Sequence, residues 1–382
     1  MFANTSDSWP SINSSLAKHA RNVTDRDCPH ADSTTEVAVK ALAYFAILLV
    51  SFVGNIFLVL VIYKNKQLRK SINYFVFNMA VSDIFTSLTI VPIKIVEIIS
   101  RSYSWKVDSP RILGNILCKL CYFFPDVSFV VSILSLLLIS MDRFIAVVLP
   151  FSAKLISSKV RLTCILCTWI IAVAVHAPYF YAFRLFTFKN ERYCILSWEP
   201  AFSHEETNRR YITATNVTFA IVPICLLALA YGSIAWTLKK KFKKRKQQLS
   251  CHQRQRDRQF RKVIRLSAAI MMAFIFCMIP QLVFLFTRVF LWNWEVPPIC
   301  IFRNGNAIPF SATFMMHSWS AINPCICFVF NRNYSNSLRH MLFFGRLSRM
   351  KFDLKDSQLK ETKMTSLHSL RSSQSLPHST RL

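Results

Sequence analysis

The sequence predicts an all-α membrane protein: a seven-transmembrane-helix bundle followed by a short amphipathic eighth helix. Three observations predict it. Apolar stretches recur over 38–63, 73–99, 114–141, 162–182, 211–238, 263–290 and 306–330. Each is close to the roughly 20 residues that cross a hydrocarbon core as a helix. The 382-residue chain is 53% hydrophobic and 17% charged, against about 25% charged in a soluble domain. The third observation is where the charge lies.

The net charge is +28, from 47 Lys and Arg against 19 Asp and Glu. Segment 64–70 holds four bases and no acid, and 150–161 holds three and no acid. Segment 239–262 holds twelve bases against Asp257, and 332–382 ten against Asp353, Asp356 and Glu361. All of these fall on one side of a seven-span chain. Basic loops stay in the cytoplasm, so the N-terminus is expected outside and the C-terminus inside, in the plasma membrane. A basic balance of this origin reads as solvated, lipid-facing loops and gives no reason to invoke nucleic acid.

Taken in order, 1–37 is expected to be an extracellular tail with glycan acceptors at Asn4, Asn13 and Asn22, each two residues before a Ser or Thr. Met1–Pro10 has no apolar signal core, so the first span is expected to act as the anchor. Residues 38–330 form the seven-span domain. The runs lack strand alternation, and helices are the open form that satisfies its own backbone in lipid. No internal repeat is visible, which disfavours an inverted-repeat transporter. Residues 331–345 are an amphipathic basic stretch suited to the cytoplasmic membrane face, where lipid is its partner. Residues 346–382 read as a disordered Ser/Thr-rich tail.

Of twelve cysteines, Cys121, Cys164, Cys167, Cys225, Cys277, Cys325 and Cys327 fall in spans and read as packing residues. Cys28, Cys118, Cys194 and Cys300 fall on the oxidising side. Cys118 precedes Arg143 by about 37 Å of helix, which puts it at the outer mouth of the third span. A Cys118–Cys194 bridge is expected to pin the loop 183–210 over the bundle. Cys28 with Cys300 is the remaining pair, against two free thiols. Four cysteines allow three pairings, and the sequence leaves them open.

Short motifs then fall in a telling order. Gly54-Asn55 lies in the first span, Asn78-Met-Ala-Val-Ser-Asp83 in the second, and Asp142-Arg143-Phe144 with Pro150 at the end of the third. Trp169 and Pro178 mark the fourth, Pro223 and Tyr231 the fifth, Phe274, Cys277 and Pro280 the sixth, and Asn323-Pro324 the seventh. In this the chain resembles the rhodopsin-like (class A) G-protein-coupled receptors over roughly 38–345. The resemblance implies a coupling switch of Asp142, Arg143, Tyr231, Asn323 and Pro324. It also implies a sodium site at Asp83 with Ser132, Ser320 and Asn323. A protonated Asp83 hydrogen-bonded to Asn55 and Asn323 is the competing reading. Beyond that possible ion, no cofactor is expected. The residues expected to line a ligand pocket are Glu97, Pro125, Asp126, Phe129, Met278, Gln281 and His317. The prolines Pro178, Pro223, Pro280 and Pro324 are expected to allow kinks.

Three positions depart from the family pattern. Phe144 follows Arg143 where tyrosine is usual, Met278 stands for the helix-six tryptophan, and Cys327 for the tyrosine after Asn323-Pro324. The last two remove an aromatic toggle and a phenol, so altered basal activity or compensation by Phe274 and Trp319 is expected. Retinal is excluded, because the lysine position holds His317. An amine is disfavoured, because the helix-three acid is displaced by one residue, from Pro125 to Asp126, a turn of about 100°. An extracellular peptide remains, and Glu97 and Asp126 favour a basic one. The expected function is a peptide-binding receptor, not an enzyme, that activates heterotrimeric G proteins. The alternatives are a non-coupling or scavenging receptor, or a small-molecule, amine-like receptor. Arrestin and receptor kinases are expected at the tail, and a PDZ protein at Leu382.

Overall fold

The computed structural model describes residues 32–65, 68, 71–102, 104–149, 157–188, 190–244, 251–291 and 307–342. The expected glycan acceptors Asn4, Asn13 and Asn22, the pair Cys28 and Cys300, and the tail to Leu382 lie outside them. Helix α1 runs over Thr34–Lys64. Helix α2 runs over Ser71–Leu88 and resumes over Ile90–Ile99. Helix α3 is Arg111–Val148 and α4 is Ser158–His176. Helix α5 comprises His204–Asn216, a widened turn at Val217–Ile221, and Val222–Lys244. Helix α6 is Cys251–Phe286 with a widened turn at Thr287–Leu291, and α7 is Ala307–Phe330. Residues 332–342 are also helical.

Six of these passages are long and apolar enough to cross a membrane. The seventh in order, α7, carries His317, Ser320 and Asn323 on its buried side, which dilutes its apolar character. Helix α3 is the axis: α2, α4 and α5 pack on it, while α7 closes the ring between α6 and α1. Large apolar side chains such as Leu162, Leu229, Phe276 and Val329 face outward. Polar groups such as Asn55, Asp83, Ser132 and Asn323 face inward. Lipid tails leave little hydrophobic drive between helices, so packing and interhelical hydrogen bonds do the joining. Asn78 is the plainest case. Its Nδ2 donates to Ser135 Oγ of α3 at 2.9 Å, and its Oδ1 accepts from Trp169 Nε1 of α4 at 2.8 Å.

The boundaries differ from the apolar runs for identifiable reasons. Helix α1 starts four residues early because Ser33 and Glu36 cap it reciprocally, at 3.2 and 2.7 Å. The second run breaks at Thr89, three residues before Pro92, whose missing N–H cannot reach the carbonyl a turn earlier. The Thr89 hydroxyl donates to Phe85 O at 2.6 Å. Pro178 does not kink α4. The helix ends at His176, and Pro178 leads a separate turn over Tyr179–Ala182. Helix α3 continues past its apolar run to Val148, so Asp142 and Arg143 lie inside a helix rather than at its end. Of the seven span cysteines, only Cys277 and Cys327 are buried, while Cys167, Cys225 and Cys325 are exposed on the bundle surface.

The loop after α4 forms a hairpin. Strand β1, Phe183–Phe188, pairs antiparallel with β2, Glu191–Leu196. Asn190 in the turn has φ 64°, a left-handed conformation that asparagine tolerates.

Candidate functional site: a covered cavity above a polar core

The hairpin is fixed to the bundle. Cys194 of β2 is bonded to Cys118 of α3, with Cα atoms 5.5 Å apart. The loop before α3 adds two backbone bonds, Val107 N to Arg192 O at 2.8 Å and Cys194 N to Trp105 O at 3.0 Å. At the exposed edge, Lys106 Nζ meets Glu191 Oε1 at 2.5 Å, and Tyr193 donates to Glu191 Oε2 at 2.5 Å. These bonds, Lys106 first, hold the Glu191 carboxyl below the usual carboxylate range, and Glu191 holds the Lys106 ammonium above its own.

Within the bundle at this end is a cavity of about 240 Å³. Six of the seven expected pocket residues line it: Pro125, Asp126, Phe129, Met278, Gln281 and His317. The seventh, Glu97, does not. It is buried to one side, where its carboxylate takes Lys94 Nζ at 2.7 Å and the Tyr122 hydroxyl at 3.3 Å. That pairing answers its burial locally and leaves it no face toward the cavity. His317 is positioned by the Tyr44 hydroxyl of α1, 3.2 Å from its Nδ1. Gln281 lies 3.4 Å from the Thr313 hydroxyl, joining α6 to α7. Asp126 is turned toward the segment after α4, where its Oδ2 accepts from the Tyr179 hydroxyl at 2.5 Å. The turn does not remove it from the cavity.

Asp83 forms the floor, 1% exposed. Its Oδ1 accepts from Ser132 at 3.1 Å and its Oδ2 from Asn323 Nδ2 at 3.0 Å. Ser82 and Ser128 extend this layer: Ser82 Oγ is 3.1 Å from Ser132 Oγ, and Ser128 donates to Ser82 O at 2.7 Å. Two residues expected beside Asp83 donate elsewhere, although the buried Oδ1 of Asn55 has no hydrogen-bond partner among the described residues. Asn55 Nδ2 donates to Ser51 O and Ser320 O at 2.8 and 2.9 Å, and Ser320 Oγ donates to His317 O at 2.9 Å. Of these the Asn55–Ser320 bond ties α1 to α7, and the others stay within one helix. Phe274 packs edge-on to Trp319 at 4.9 Å and stacks with Phe129 at 6.1 Å. Aromatic contacts thus occupy the region around Met278.

At the opposite end, Asp142 pairs with Arg143. It also faces Arg161 of α4, 3.6 Å from its other oxygen, a partner the sequence reading missed among the many basic residues on that side. Tyr231 sits with Phe144 and Val148 against Val147, Ile234 and Ile264. Cys327 is fully buried. Pro324 lies against Gly54, where an added Cβ would come within 2.9 Å of its ring.

The model for the 7 transmembrane receptor (rhodopsin family) matches residues 54–326. The chain is similar to Neuropeptide FF receptor 2 of Rattus norvegicus, 25% identical over 319 residues covering 80% of this chain and 73% of that receptor. It is similar to a QRFP-like peptide receptor of Branchiostoma floridae, 28% identical over 208 residues, 52% of this chain and 51% of that one. It is also similar to the Substance-P receptor of Mus musculus, 21% identical over 331 residues, 86% of this chain and 77% of that one. The chain is a multi-pass membrane protein and a receptor, not an enzyme: it belongs to the rhodopsin-like family of G-protein-coupled receptors.

Proposed function

We propose that this receptor binds an extracellular peptide at the cavity lined by Asp126, Gln281 and His317 and activates heterotrimeric G proteins at its Asp142–Arg143 end. The observation that carries the proposal is the conjunction of a lined cavity at one end with an intact acid–base pair in α3 at the other. The relatives named for peptides support the ligand class. The side of the Cys118–Cys194 bridge is the oxidising one and the Arg143 side the basic one. Both support an N-terminus outside and a C-terminus inside the plasma membrane, and arrestin, receptor kinases and a PDZ protein are the partners proposed for the tail.

The residues at Asp83 fit a small hard cation. Asp83 and Ser132 present oxygens, and the buried Oδ1 of Asn323 has no hydrogen-bond partner among the described residues. Carboxylate, hydroxyl and carbonyl oxygens suit such ions. Sodium bound there would supply charge compensation for Asp83 within the bundle, with Asp83, Ser132 and Asn323 as its holders. A proton on Asp83 is the alternative.

The test is a G-protein activation screen in cells against a peptide library. A responding peptide whose signal is lost in Arg143→Ala, at equal surface expression, is the expected result. Ligand binding without activation would favour a scavenging receptor, the second reading, which Met278 and Cys327 support. In Asp83→Asn, any sodium effect on agonist affinity should vanish.

A further inference from the structure

We infer that the cavity seats a cationic group of the ligand, a guanidinium or ammonium, on the carboxylate of Asp126, with Tyr179 as its positioning residue. This rests on the receptor reading above and names the chemistry of its site. Among the described residues lining the cavity there are two carboxylates, Asp83 and Asp126, and no Lys or Arg. The two acids differ in availability. Both oxygens of Asp83 are taken, by Ser132 and Asn323. Asp126 has one oxygen on Tyr179, and its other oxygen has no partner among the described residues. Glu97, a third acid buried within the bundle, is paired with Lys94 and lies outside the lining.

A carboxylate within a protein bundle is costly until paired, and the surroundings of Asp126 suit a cation. Phe129, Tyr179 and Phe219 line the same cavity, and aromatic faces attract ammonium and guanidinium groups. Tyr179 is itself held, with its ring 4.9 Å from Phe183, 5.3 Å from His176 and 5.8 Å from Tyr211. Its hydroxyl therefore fixes the carboxylate before the ligand arrives, which is how a binding group is made precise. At about 240 Å³, the cavity is below the ~300–1,000 Å³ of pockets that enclose a drug-sized ligand. It takes one side chain or one terminus of a peptide, not the whole.

The experiment uses the purified full-length receptor in sodium-free buffer, without G protein. Thermal stability is read against argininamide and against citrullinamide, its neutral near-isostere, at millimolar concentration. Argininamide should raise the melting temperature of the wild type and of Glu97→Gln, and citrullinamide should not. Asp126→Asn should raise the half-saturating argininamide concentration at least about tenfold, and Tyr179→Phe should raise it severalfold while keeping the charge. If Asp126→Asn does not fold, the argininamide-to-citrullinamide contrast and Tyr179→Phe decide alone. The inference is overturned by equal shifts from the two amides or by no shift from argininamide. A shift that survives in Asp126→Asn or is lost in Glu97→Gln overturns it as well. Failure here would leave the signalling reading standing, because no step of it is measured.

Discussion

Gly54 is small because Pro324 lies against it. A Cβ at Gly54 would sit 2.9 Å from the proline Cγ and 3.1 Å from its Cβ, and a proline ring cannot swing aside. Gly54→Ala should therefore destabilise the receptor by about 1–3 kcal/mol, read as a lower melting temperature in detergent. At Gly232 an added methyl meets nothing within 4 Å. Gly232→Ala should be neutral or stabilising by about 0.5–1 kcal/mol through helix propensity. Equal losses at the two sites would refute the packing argument. Arg161 offers a second case. Asp142 lies between Arg143 and Arg161, so Arg161→Gln should lower the melting temperature, and should lower it much less once Asp142→Asn is present. Additive losses in that double-mutant cycle would mean that Arg161 and Asp142 do not interact. Asp83 with Ser132 and Asn323 was legible only through the resemblance to the rhodopsin-like receptors, which implied that grouping; an acid in mid-membrane by itself says only that it needs a partner. Asn55 was not legible, since its partners are backbone carbonyls, which carry no sequence signature. Arg161 was hidden for a different reason: its pairing depends on how α4 is rotated, not on its neighbours in the chain.

Hydropathy located the helices but not their interruptions. The run 73–99 reads as continuous because Thr89 and Pro92 are short and flanked by isoleucine and valine. The break comes from a missing N–H, which a window average does not see. Pro178 stops α4 instead of bending it because the chain must turn there into β1. Between helices the ties are polar. Asn78 joins α2 to both α3 and α4, and single interhelical bonds in membrane proteins average about 0.6 kcal/mol. Asn78→Ala leaves Trp169 Nε1 without its acceptor, so the melting temperature should fall by the equivalent of about 1–2 kcal/mol, with Trp169→Phe removing most of the difference. The hairpin is held differently, at its exposed edge by the Lys106–Glu191 pair. A depressed carboxyl contributes stability above its unfolded pKa, about 4.3, and that contribution disappears as the pH falls through the lower folded value. A raised ammonium contributes below its unfolded pKa, about 10.4, and loses the contribution as the pH rises through the higher folded value. The edge should therefore hold near neutrality and loosen in acid. After correction for intrinsic exchange, the Val107 amide should exchange faster below about pH 4 in the wild type. In Glu191→Gln it should be fast at every pH.

On the scale of the whole molecule the two ends are chemically unlike, and that difference supports the orientation proposed above. The hairpin end carries the disulfide and a cavity without Lys or Arg in its described lining. The far end carries the Asp142–Arg143–Arg161 cluster, and the sequence gathers its bases in the segments 64–70, 150–161, 239–262 and 332–382. Translocating each of those bases would cost work against the positive-inside bias, and a structural disulfide persists on the oxidising side. Both constraints choose the same orientation, although one is read from charge counts and the other from a covalent bond. The N-terminal segment with Asn4, Asn13 and Asn22 should then be glycosylated and the 332–382 segment should not be exposed to the medium. Two measurements check this in intact cells. Enzymatic removal of N-glycans should lower the apparent mass, and Asn4→Gln, Asn13→Gln and Asn22→Gln together should abolish that change. An epitope at the N-terminus should be labelled without permeabilisation, and one placed after Leu382 only with it. Labelling of the C-terminal epitope on intact cells would contradict the charge argument and would move the Asp142–Arg143 pair away from the compartment that holds G proteins.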